Sequence, residues 1–184
     1  MSIVLGFAPF IAFFALASLI SPLVGVAAAF AISFVMTALN WRRGKSLKIL
    51  DVGSLILFGS TILIILVAAP DWSVGEAGLV VNGGLALISL LSLAIGRPFT
   101  AQYAREQIPK QYWNDPLFIR INQLITVVWT LAFAISTTTT AASIYLRTIP
   151  HWLEIAAAIG GLAMAIWFTS WYPARVRRSR MGTA

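Results

Sequence analysis

"VGSLILFGSTILIILVAA", residues 52–69, runs for eighteen residues without a charge. A helix rises 1.5 Å per residue, so about 20 apolar residues cross a hydrocarbon core of about 30 Å. The run is therefore long enough to be a membrane span. Five further blocks of similar length flank it, at residues 3–20, 23–40, 78–95, 123–146 and 152–171. The whole 184-residue chain is 59% hydrophobic and only 10% charged, with a mean hydropathy of +0.88, far more apolar surface than a soluble domain of this size requires. The reading is an all-α polytopic membrane protein, a single domain of six transmembrane helices followed by a tail over residues 172–184.

The first 41 residues contain no Asp, Glu, Lys, Arg or His, so something other than charge must divide the first two spans. Ser21-Pro22 is the available breaker, and proline is tolerated in the first turn of a new helix, where its missing N–H costs nothing. A tight hairpin opened by Pro22 is expected, with one long buried hairpin that stops short of the far side as the alternative. Ala15-Leu16-Ala17 has the small-x-small form of a signal-peptide cleavage site. No basic stretch precedes it and the apolar run continues beyond it, which favours a retained first span.

Twelve of the thirteen basic residues fall on one side of these spans. They are Arg42, Arg43, Lys45 and Lys48 after the second, Arg97, Arg105, Lys110 and Arg120 after the fourth, and Arg175, Arg177, Arg178 and Arg180 after the sixth. The opposite side holds Arg147 with Asp71, Glu76, His151 and Glu154. Short loops rich in Lys and Arg stay cytoplasmic, so both termini are expected inside, and the net charge of +7 reflects topology and anionic lipid headgroups. Nucleic-acid binding would need a basic soluble module, and the chain has none. Cysteine is absent and histidine occurs once, at His151, so neither a metal centre nor another cofactor is expected.

The longest polar interruption is "RPFTAQYAREQIPKQYWNDPLFIR", residues 97–120. Pro98 ends the fourth span. Phe99, Tyr103 and Ile108 then recur at near-helical spacing against Gln102, Arg105 and Glu106, the pattern of a short interfacial helix with its rings toward the acyl chains. Pro109 and Pro116 break it, and Tyr112-Trp113-Asn114-Asp115 supplies belt aromatics and a turn. The expected anchor is Arg97, Phe99, Tyr103, Arg105, Tyr112 and Trp113. Glu106 and Asp115 read as salt partners of Arg105 and Lys110, because no nucleophile or second base accompanies them. "FTAQYAREQ" here is echoed by "FTSWYPARVR" after the sixth span and more faintly by "TALNWRRGK" after the second. Three helical hairpins with aromatic–basic ends would produce this echo, and so would aromatic belts and cytoplasmic charge alone.

"GRPFTAQYA", "IPKQYW", "RINQLITVVWTLAFAIS" with its Asn122 and Trp129, and a closing Tyr-x-x-Arg type tail resemble the intracellular septation protein A family of small multi-spanning proteins in the bacterial inner membrane. The order of spans and loops resembles that family over most of the chain. The charge-free first 41 residues and the "STTTT" run depart from it. The resemblance implies a part in cell-envelope maintenance or division through contacts with other membrane proteins or with copies of itself. It carries over no catalytic residue.

Polar groups inside the spans are the remaining candidates. Thr137, Thr138, Thr139 and Thr140, with Ser136 and Ser143, place hydroxyls around one helix, where each can bond the carbonyl three or four residues back. Asn82 has no such local solution, and burying an unpaired amide costs a few kcal/mol, so it should face another helix or a cavity. Gly160-Gly161 and the alanines at 156–158 point to close packing of the last span. Three function classes follow: a non-enzymatic envelope or division scaffold, a small transporter or channel with a polar site between spans four and five, and a membrane enzyme or lipid-binding subunit acting at the interface. No ionisable residue lies deep inside a predicted span, which weighs against the transporter.

Overall fold

In a computed structural model the described residues are 6–44, 46–147 and 149–181, and among them every regular element is helical. The long elements are α1 (Ala8–Leu19), α2 (Pro22–Arg42), α3 (Ile49–Val67), α4 (Val74–Ala94), α6 (Pro116–Ala141, continued by a π-turn over Ala142–Leu146) and α7 (His151–Met181). Between α4 and α6 lie the six-residue α5 (Phe99–Ala104) and a single 3₁₀ turn, Lys110–Tyr112. Five of these helices are long and apolar enough to cross a membrane.

The exception is α1. Its 12 residues rise about 18 Å, short of a full crossing, so the expected span over residues 3–20 is only partly represented; residues 3–5 lie outside the described ones. The Ser21-Pro22 break does form. Ser21 is extended and its hydroxyl accepts from Val24 N–H at 3.3 Å, capping α2 with Pro22 at its first position. The two helices touch at Gly25, where a methyl group would sit 2.7 Å from both the Phe13 carbonyl oxygen and the Ala17 amide nitrogen.

α4 and α6 start where a side chain satisfies their free amides. Ser73 and Glu76 form a reciprocal capping box on α4, with Ser73 N–H donating to Glu76 at 2.7 Å. Asp115 accepts from Leu117 N–H at 2.7 Å and Pro116 opens α6.

The packed centre is aromatic. Trp129 of α6 is fully buried, stacks on Phe7 with centroids 4.4 Å apart and planes 8° apart, and contacts Phe133. Phe10 and Phe13 extend this cluster to Phe58 of α3. Lipid tails are as apolar as these rings, so shape and dispersion rather than water exclusion hold them together. By contrast α7 is peripheral: 6% of its apolar window is buried, against 39% for α4. Its attachments to α6 are Gly161, which abuts Ala132, and Thr169, whose hydroxyl accepts from Trp129 Nε1 at 3.0 Å. Gly160 has open space where a side chain would be, so the close packing expected of the glycine pair rests on Gly161.

Candidate functional site: a buried ionic cluster at the basic end

Helices of alternating direction carry the ends of α2 and α4 and the starts of α3 and α6 to one end of the bundle, where the Lys and Arg residues collect. At this end Lys48 caps α3 with an extended backbone, and Asp51 stands in the first helical turn, where a negative charge is favoured by the helix dipole. The free amide of Ile49 donates to Gln102 Oε1 of α5 at 2.7 Å. The short helix expected to lie in the interface therefore acts as a lid that caps α3.

The lid also brings charge. Lys48 is 4% exposed, and its ammonium lies 2.9 Å from Glu106 Oε1 and 4.4 Å above the Tyr103 ring. A desolvated cation over an aromatic face is held by about 2 kcal/mol. Asn40, at the end of α2, donates to Asp51 Oδ2 at 3.4 Å. Beside Asp51 is a cavity of about 10 Å³, room for one water-sized sphere, lined by Gly6, Pro9, Ser33, Met36, Asp51 and Ser54. Ser33 Oγ lines it, buried without a hydrogen-bond partner among the described residues, and the Tyr103 hydroxyl lies beside Asp51. Burial pushes the Tyr103 phenol well above its ordinary value, and the nearby charges of Asp51 and Glu106 push it further.

The expected anchor divides between inside and outside. Phe99 and Tyr103 are buried in the bundle, 0% and 3% exposed, so their rings face protein instead of acyl chains. The reason is the Arg97-Pro98 turn: Gly96 adopts a left-handed φ of 69°, and Phe99 N–H then donates back to Ser92 Oγ at 3.2 Å, folding α5 under α4. Arg97 and Arg105 remain exposed, with Arg105 5.3 Å above the Trp113 ring; Tyr112 is exposed, and Trp113 Nε1 donates to the Ile108 carbonyl at 3.0 Å. Glu106 pairs with Lys48, and the Asp115 side chain caps α6.

The intramembrane candidates behave mostly as local structure. Thr137, Thr138 and Thr139 donate to the carbonyls of Phe133, Ala134 and Ile135 at 2.8, 2.8 and 3.0 Å. Thr140 and Ser136 are buried, and Ser143 is half-buried in the π-turn. Asn82 is 8% exposed, and a methyl on its neighbour Gly83 would lie 3.6 Å from the Thr137 methyl, which places this part of α4 against the Thr run. The hydroxyls that do cross between elements lie elsewhere. Thr100 of α5 bonds both the Asn122 carbonyl at 2.9 Å and Thr126 Oγ1 at 2.8 Å on α6. Thr100 and Thr169, the threonines of the two Phe-Thr pairs in the sequence echo, thus both meet α6 at adjacent turns, although one belongs to a six-residue helix and the other to the interior of α7. The His151 side chain, Lys45 and the Arg180 side chain lie outside the described residues.

Sequence reasoning missed Lys48, Asp51, Asn40 and Ser33. Placing the third span at 52–69 put Lys48 and Asp51 in a loop, whereas α3 begins at Ile49. The signal was present in the spacing, since Lys48 and Asp51 lie one helical turn apart.

A second feature lies on the outer surface, where α3 and α4 splay into an apolar groove of about 650 Å³. Val52, Ile56, Leu57, Leu87, Ile88 and Leu91 wall it, and Leu47 and Lys48 close its basic end. Gly84 and Gly53 sit tightly against Leu57 and Ile88, so larger residues there would move the groove wall. No family model matches this chain, and neither a curated protein nor a solved structure does.

Proposed function

We propose that the chain is a non-enzymatic integral membrane protein that works by holding lipid and neighbouring membrane proteins. On the septation protein A resemblance, its setting is the bacterial inner membrane, with both termini cytoplasmic, and its role is envelope maintenance or division. The observation that carries the lipid part is the α3/α4 groove, whose volume is that of a ligand site and whose lining is almost wholly apolar. Helix α4, which supplies Leu91 to the groove, is followed within a few residues by the exposed Arg97. An acyl chain in the groove with an anionic headgroup at Arg97 satisfies both halves, and each basic contact with an anionic headgroup contributes on the order of 1 kcal/mol.

Native mass spectrometry of the protein released from vesicles of phosphatidylglycerol and phosphatidylethanolamine tests this. Ile56→Trp, on the exposed groove wall, should reduce the number of phospholipids retained. Arg97→Gln combined with Arg105→Gln should reduce the preference for phosphatidylglycerol, and the difference should shrink as salt rises. Retention unchanged in both variants overturns the reading.

A small carrier is the second reading, and one observation favours it: Asp51 is an ionisable residue, 9% exposed, inside the first turn of a membrane-length helix. Charged groups at such positions are costly and mark ion or solute paths.

A further inference from the structure

We propose that the cavity beside Asp51 binds one small monovalent cation of about sodium size. The cavity has room for a single water-sized sphere and is walled by α2, α3, the first turn of α1 and Gly6 before it. Its polar lining is made of oxygen. Ser54 donates its hydroxyl hydrogen to the Leu50 carbonyl at 2.6 Å, which leaves its lone pairs for the cavity. Ser33 is 3% exposed, lines the cavity and has no hydrogen-bond partner among the described residues. Asp51 contributes the carboxylate, with one oxygen receiving the Asn40 amide at 3.4 Å.

Charge decides between a neutral and a cationic occupant. Lys48 is near enough to act on Asp51, yet its ammonium is held at 2.9 Å by Glu106 and lies over the Tyr103 ring. The carboxylate thus faces the cavity with neutral partners: the Asn40 amide, the Lys48 backbone amide and the Tyr103 phenol. A cation coordinated by Asp51, Ser33 and Ser54 neutralises it and gives the orphaned Ser33 oxygen a partner, both at once. Hard oxygen donors suit an alkali-type cation, and one carboxylate suits a single charge. No group of three acidic or imidazole side chains that could hold a multivalent ion occurs among the described residues.

The purified full chain in nanodiscs is melted in chloride salts of sodium, lithium, potassium and N-methylglucamine at constant ionic strength. Sodium should raise the midpoint saturably over N-methylglucamine, by about 2–4 °C at roughly five times its dissociation constant. Asp51→Asn should abolish this rise, and Ser33→Ala should move half-saturation to at least several-fold higher sodium. If Asp51→Asn does not fold, Ser33→Ala and Ser54→Ala carry the test by the same shift in half-saturation. Equal midpoints in all four salts would show that the cavity takes water alone and overturn the proposal. A sodium response unchanged in Ser33→Ala and Ser54→Ala would overturn it as well, because the cation would then sit elsewhere.

Discussion

Lys48 Nζ and Glu106 Oε1 lie 2.9 Å apart, joining the start of α3 to the segment that follows α5. The lysine is 4% exposed and the Glu106 side chain 20% exposed, so the pair sits where solvent screens it little. Removing one partner leaves the other's charge uncompensated. Glu106→Gln should therefore destabilise the folded protein by about 1–3 kcal/mol, while Glu106→Gln and Lys48→Met together should cost less than the two single changes summed. Melting of the four species in nanodiscs measures the coupling. Additive losses would show that the pair contributes nothing beyond its separate groups.

Tyr103 ties stability to alkaline pH. Its phenol is held above the ordinary value of about 10 in the folded protein, so the unfolded chain loses this proton first. Above about pH 10 the native state binds more protons than the unfolded one, and stability falls as pH rises. Tyr103→Phe should remove this part of the alkaline loss, because it deletes the phenol that titrates. Melting the two proteins from pH 7 to 11 checks the sign; parallel curves would refute it.

Threonines that look alike in the sequence should respond differently. Thr138→Val removes a bond to the helix's own carbonyl at an exposed position and should change stability by less than about 0.5 kcal/mol. Thr126→Val removes a hydroxyl that links α6 to Thr100 at 2.8 Å and should cost about 0.6–1.7 kcal/mol. Trp129→Phe loses the donor to Thr169 and loosens α7, at about 1–3 kcal/mol. The order Trp129, Thr126, Thr138 in detergent melts is the expected outcome.

Gly25→Ala should be among the most disruptive single-methyl changes. The added carbon meets backbone atoms of α1 on two sides, and backbone cannot rotate away as a side chain would. A loss of about 1–3 kcal/mol is expected, with protease cutting near Ser21-Pro22 appearing first as α1 lifts from α2. Gly160→Ala, facing open space, serves as the control and should have no such effect.

Single-cysteine labelling tests the proposed topology in a chain that has no native cysteine. Reagent added outside intact cells should reach Trp72→Cys, and should reach Gly44→Cys only after permeabilisation. The reverse pattern would invert the charge argument.

Composition and run length alone determined the membrane-length helices and the absence of strands among the described residues, because a bilayer asks of a segment only that it be apolar and long enough. Capping chemistry was equally local: Ser21-Pro22 and Asp115-Pro116 begin helices where those residue types predict. The first span was less legible, since residues 3–20 are uniformly apolar and nothing in them marks the break at Phe7, which stacks on Trp129 between helical Gly6 and the start of α1. Tertiary structure alone decided the inward turn of Phe99 and Tyr103. A short amphipathic stretch presents the same pattern whether its apolar face meets lipid or protein, and only the left-handed turn at Gly96 and the Ser92 bond to Phe99 N–H choose between them. The ionic cluster is tertiary for the same reason. Lys48, Asp51, Asn40 and Glu106 come from three separate stretches of chain, and each, read alone, is an ordinary polar residue at a helix end. Their pairing exists only once α5 folds over the start of α3, where a low-dielectric wall makes each charge depend on the next.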